Sequence, residues 1–173
     1  MDGLLGTDIL FNLITLVIDY KNNYITVNTH FVSDKEFKIK KKSFETEGIT
    51  LYDNRYYIDM TLSNFPHEIL LDTGNLSECI LLTPVTEEEK KEAEINKYDE
   101  NYATTFIKEG YIGNQFLGNF HICYNTIPIK EFGEYIDYRL DNITNYNITS
   151  AGYELFKDHI ICFNFVNETL GIR

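Results

Sequence analysis

The chain has 173 residues, a net charge of −12 at pH 7 and 43% hydrophobic side chains, with no tryptophan. That is the length of one domain, or of one and a fraction, and enough to bury a core of its own; the apolar content excludes a disordered chain. An acidic surface repels phosphate backbones, which argues against nucleic acid as a main partner.

Residues 1–18 are apolar but carry Asp2 and Asp8 and no basic leader, so they do not read as a signal peptide. No stretch is long and uncharged enough to span a bilayer, so no membrane role is expected and a cytoplasmic location is the default. A short helix is predicted near residues 7–12. Residues 16–20, the pair Asn22-Asn23 and residues 24–27 read as strand, turn, strand. The basic run from Lys35 to Lys42 is broken by Glu36, Phe37 and Ile39 and reads as a solvated strand or loop. Residues 56–62 form a strand with one apolar face, Ser63-Asn64-Phe65-Pro66 a turn, and residues 68–71 the return strand. Thr83 or Thr86 can cap a helix ending near Ile95 or Asn96, with Pro84 early and Glu87, Glu88 and Glu89 in its first turn. So charged a helix is expected on the surface. Further strands are predicted at residues 120–124, 127–129, 160–165 and 169–172, with a short helix at 152–157.

Cys79, Cys123 and Cys162 form no CxxC pair and are too few and too scattered for a disulfide framework, so buried thiols are expected. His30, His67, His121 and His159 show no ligand spacing, and no metal site is predicted. The sequons at Asn75, Asn142, Asn147 and Asn167 are expected to be unused.

An internal repeat links the two ends of the chain. Leu4-Leu5-Gly6, residues 7–12 and the strand at 16–22 have an echo in Ser150-Ala151-Gly152, residues 153–157 and the strand at 161–167. Each half reads as two small or apolar residues, a glycine, a short helical turn and a strand with apolar inward positions.

Asp72 follows directly on the apolar run Ile69-Leu70-Leu71. A carboxylate at such a position is costly unless something compensates. Thr73 offers a hydroxyl to a neighbouring backbone, and Gly74 permits a tight turn and close approach of a second chain segment. These are the needs of a carboxylate held on a rigid loop.

Leu70-Leu71-Asp72-Thr73-Gly74 resembles the catalytic loop of aspartic peptidases, and of their retropepsin-like branch in particular. The hairpin at residues 56–71 leads into the loop as in that family. Ser150-Ala151-Gly152 is similar to its apolar-apolar-glycine turn, and the resemblance covers most of residues 50–173. Asn75 stands where alanine, serine or threonine is usual. The resemblance implies a mainly β, retropepsin-like lobe: a closed or partly open barrel with one surface helix and one or two short ones. It divides the chain into residues 1–30, similar to the end of a preceding lobe, and the lobe proper at residues 31–173.

It also implies an aspartic-type endopeptidase acting on a peptide or protein substrate without metal or cofactor. Asp72 is then the general acid and base, Thr73 and Gly74 support its loop, and Gly152 is the turn beneath. Two aspartates share one proton in such a site, because like charges a few ångström apart do not both ionise cheaply. The chain holds a single Asp-Thr-Gly and no Asp-Ser-Gly. The second aspartate therefore comes from a homodimer partner or from a second lobe. The rival expectation is a catalytically silent lobe that binds peptide or protein; a Cys79-dependent hydrolase is a weaker one.

Overall fold

The computed structural model describes residues 13–42, 55–73, 75, 77–98, 102–103, 105–126 and 149–173. The helix predicted near residues 7–12, the turn Leu4-Leu5-Gly6, the strand predicted at residues 127–129 and Gly74 lie outside them. Alternation of apolar and polar side chains produces strands through most of the rest. In β5 (Arg55–Leu62) and β6 (Phe65–Leu71), alternate residues such as Met60, Leu62, Ile69 and Leu71 are buried. The connection is tighter than the four-residue turn predicted from sequence. Only Ser63 and Asn64 lie between the strands, and both have positive φ, as in the type I′ class of two-residue hairpin loops.

The fold is mainly β, and its centre is a closed six-stranded barrel. The order around it is β5, β6, β10 (Ser150–Ala151), β7 (Ile80–Leu82), β9 (Gln115–Tyr124) and β8 (Phe106–Ile112). Pairing of Leu62 with Gly110 and of Thr61 with Tyr111 brings β8 back to β5 and closes the ring. Gly110 is packed there against Met60 and Phe120, where a Cβ would overlap both side chains. It is part of the barrel wall. β4 (Lys40–Lys42) pairs with the other end of β5.

A five-stranded sheet lies against the barrel in the order β2 (Tyr24–Val27), β1 (Thr15–Asp19), β11 (Ile160–Asn164), β12 (Thr169–Ile172) and β3 (Lys35–Lys38). Leu16, Ile18, Ile161, Phe163, Leu170 and Ile172 join Ile58, Leu62, Ile80 and Ile122 of the barrel in one continuous core. The basic run is thus two short strands, with Ile39 between them buried in that core.

The strand part of the repeat read from sequence is a structural one; the turn and helix of its first copy lie outside the described residues. β1 and β11 are antiparallel neighbours, with Val17 opposite Cys162 and Leu16 opposite Phe163. The hairpins β1–β2 and β11–β12 match strand for strand. Each has a five-residue first strand, a four-residue second strand and the same register. Asn22 N–H donates to Asp19 Oδ1 (2.9 Å), as Asn167 N–H donates to Asn164 Oδ1 (3.0 Å). Asn23 and Glu168, last in their turns, have φ of 54° and 51°. Asn28 N–H donates to Thr15 O and Arg173 N–H to Ile160 O, both at 2.9 Å. A local two-fold axis between Val17 and Cys162, normal to the sheet, relates the two hairpins.

Of the two helices among the described residues, α1 (Glu87–Ile95) has Thr86 as its N-cap, in a reciprocal capping box with Glu89. It is not simply a solvated element, because Glu89 and Ala93 are buried. Glu89 Oε1 lies 2.9 Å from His67 Nε2 of β6, and its Oε2 accepts from the N–H groups of Val85 and Thr86. Burial pushes the Glu89 carboxyl up, but these bonds outweigh burial and hold it below the ordinary range. Tyr124 and Lys108 reach Glu92 on the same helix face, so a charged helix is moored by buried polar bonds. The second helix, α2 (Tyr153–Phe156), is a single buried turn following Gly152. No helix among the described residues is long and apolar enough to cross a membrane.

Candidate active site

The site is built where β6 runs out of the barrel. β10 is inserted between β6 and β7, parallel to β6 with Ala151 beside Leu71. Leu70 N–H donates to Thr149 O and Asp72 N–H to Ala151 O, both at 2.9 Å. The last backbone bond of this ladder therefore falls on Asp72 itself. One residue earlier the chain is buried core; at Asp72 the side chain is exposed.

Beyond Asp72 the chain turns back on itself. Asn75 N–H donates to Asp72 O at 3.0 Å, and Asn75 O accepts from Tyr153 N–H at 2.8 Å. The Asn75 side chain is used at both ends: Nδ2 donates to Ser150 Oγ (3.3 Å), and Oδ1 accepts from Ser77 N–H (2.9 Å). The loop is thus tied to β10, to the start of α2 and to the approach to β7. Gly152 lies directly beneath it. A Cβ there would overlap the carbonyl oxygens of Asp72 and Asn75, so close approach of backbone to backbone requires glycine at this position.

Asp72, Thr73 and Gly152 therefore converge on one loop and its floor, while Gly74 lies outside the described residues. Sequence reading missed two members of this constellation. Asn75 was legible in principle, because asparagine in a turn commonly accepts from the backbone N–H two residues on. Tyr20 was not: its hydroxyl donates to Thr73 O at 3.2 Å across 53 positions of sequence.

The three cysteines are free thiols. Cys123 and Cys162 are buried, as expected, but Cys79 is half-exposed, with its sulfur 3.2 Å from Ser77 Oγ. It precedes β7 instead of lying within it, so its side chain escapes the barrel interior. No group of three or more His, Cys, Asp or Glu suited to holding a metal ion occurs among the described residues.

Chemically, the arrangement offers one solvent-facing carboxylate beside backbone groups of Asp72 and Asn75 that are hydrogen-bonded to β10 and α2. Such a group accepts hydrogen bonds from water or substrate without reorganising its loop. No protein-family model matches the chain, and no curated protein and no solved structure is significantly similar to it.

Proposed function

We propose that the chain is a lobe of an aspartic-type endopeptidase of the retropepsin-like kind, with Asp72 as its half of a two-carboxylate site. The observation that carries this reading is the Asp72 loop. An exposed carboxylate ends a buried strand, and its own carbonyl and that of Asn75 are pinned over Gly152. In the reaction, a water held between Asp72 and a second aspartate is deprotonated by the ionised member of the pair. The protonated member donates to the scissile carbonyl oxygen. The pair titrates as a unit. Thr73 and Gly152 act by holding the loop.

The second carboxylate is supplied across the local two-fold axis by a second barrel lobe seated on the β1–β2 hairpin. That hairpin duplicates β11–β12, and Ile25 and Val27 on it point to the same face as the core residues Ile18 and Leu16. A homodimer partner is the other source of a second aspartate. A peptide-binding lobe without catalysis is the alternative reading; it is favoured by the single Asp-Thr-Gly in the chain.

The deciding experiment is cleavage of a mixed peptide library between about pH 3.5 and 7, where a shared-proton carboxylate pair is expected to work. It compares the wild-type chain with Asp72→Asn and records the oligomeric state of each. Cleavage that disappears in Asp72→Asn supports the peptidase. Peptide binding that survives the substitution, without cleavage by either protein, supports the silent lobe.

A further inference from the structure

The local two-fold axis supplies an internal control for one side chain. Tyr20 and Phe165 occupy equivalent places: each is the first residue after its strand, directly following Asp19 or Asn164. Phe165 packs on Phe163 and Tyr56, with ring centroids 6.0 and 5.5 Å away. Tyr20 also packs, stacked on Phe156 at 6.2 Å and edge-on to Tyr153 at 5.9 Å. The fold therefore asks for an aromatic ring at this place in both hairpins, and in one of them it is satisfied by phenylalanine. The hydroxyl is the surplus. It is the hydroxyl that donates to Thr73 O, in the middle of the turn between Asp72 and Asn75.

We propose that Tyr20 is a positioning residue for the Asp72 loop: its hydroxyl fixes the Thr73 carbonyl and thereby the direction in which the Asp72 carboxylate faces. The role at a catalytic carboxylate rests on the peptidase reading; the grip on the loop does not. Three features support it. Two rings of α2, Tyr153 and Phe156, pack against the ring and set where the hydroxyl is delivered. Ties from Ala151, Ser150 and Tyr153 reach the loop from the β10–α2 side, and one from Ser77 from the approach to β7. Tyr20 comes from the separate five-stranded sheet and holds the loop from there. The phenol also feels the loop: burial first, and then the charge of Asp72, raise its pKa above the ordinary tyrosine range. A hydroxyl kept protonated stays a donor.

The test uses the full chain with Tyr20→Phe, which keeps the ring, and Tyr20→Leu, which removes it. The first readout is amide exchange at Asn75, whose N–H closes the turn over Thr73, and it needs no catalysis. Loss of one hydrogen bond worth about 1 kcal/mol should speed that exchange roughly fivefold in Tyr20→Phe, with a drop of only about 2–4 °C in melting temperature. Tyr20→Leu should lower the melting temperature further. The second readout is peptide cleavage, where Tyr20→Phe should lower kcat by a similar factor with KM unchanged. If Tyr20→Phe matches wild type in exchange at Asn75, the ring alone matters and the proposal is overturned. If exchange quickens but wild type cleaves nothing, Tyr20 still positions the loop and the peptidase reading is what falls.

Discussion

The hairpins β1–β2 and β11–β12 share register, turn length, side-chain-to-backbone turn bond and left-handed final turn residue. Their surroundings are opposite. Leu170 and Ile172 of β12 are 0% and 3% exposed, whereas their counterparts Ile25 and Val27 of β2 are 64% and 46% exposed. β12 lies between two strands and under the barrel; β2 is the sheet edge, with no barrel over it among the described residues. Local sequence thus builds the same hairpin twice, and burial is decided by what is placed on top. Among the described residues β2 is thus an apolar edge strand, the kind of surface on which strands pair.

The largest expected effect separates the two hairpins by stability. Leu170→Ala should cost about 3 kcal/mol, since it opens a cavity in a packed core. Ile25→Ala at the equivalent site should cost less than about 0.5 kcal/mol in the isolated chain. Urea unfolding of the two variants measures both. A comparable loss in Ile25→Ala would mean that β2 is already covered, by a second copy or otherwise, and would break the comparison.

Acid should make the two hairpins alike. The barrel that covers β12 is braced by α1, and α1 is braced by ionised Glu89. The folded protein holds this carboxyl below its ordinary value of 4.5, so the unfolded chain binds its proton first as pH falls. The contribution is therefore full above pH 4.5 and is lost as pH drops through the lower folded value. Amide exchange at Leu170 and Ile172 should then accelerate toward the rates at Ile25 and Val27. In Glu89→Gln that acid-driven convergence should shrink, because no carboxyl remains to titrate. Unchanged acid sensitivity in Glu89→Gln would remove Glu89 as its source.

Sequence reading reached the parts of the fold whose signals are local. The period-two burial of β5 and β6, Thr86 as one of two candidate caps, and the strands of the two hairpins were visible in short windows; the capping box with Glu89 was not read. β10 was not, because two residues have no periodicity; its place between β6 and β7 is set by distant pairing. β8 was also missed, since Phe106–Ile112 carries Lys108, Glu109 and Gly110, and Lys108 is buried against Glu92. The burial of Glu89 likewise depends on His67, 22 positions away. At the site, the Asp72 loop was legible as a motif. Its ties through Asn75 depend on Ser150, 75 positions away, and the grip of Tyr20 had no sequence signal.

The smallest expected effect concerns the turns. Asn23 and Glu168 hold the same left-handed conformation, with φ of 54° and 51°, but they are not equally suited to it. Asparagine tolerates this region, whereas glutamate there crowds its Cβ against the backbone. Glycine removes that crowding but adds freedom to the unfolded chain, so the gain is partial. Glu168→Asn, which copies the first hairpin into the second, should therefore stabilise by about 0.5 kcal/mol, and Asn23→Gly should change stability by less than that. Thermal melts of the two variants resolve the difference. If Glu168→Asn is instead destabilising, Glu168 has a role that Asn23 lacks, and the two turns are equivalent in shape alone.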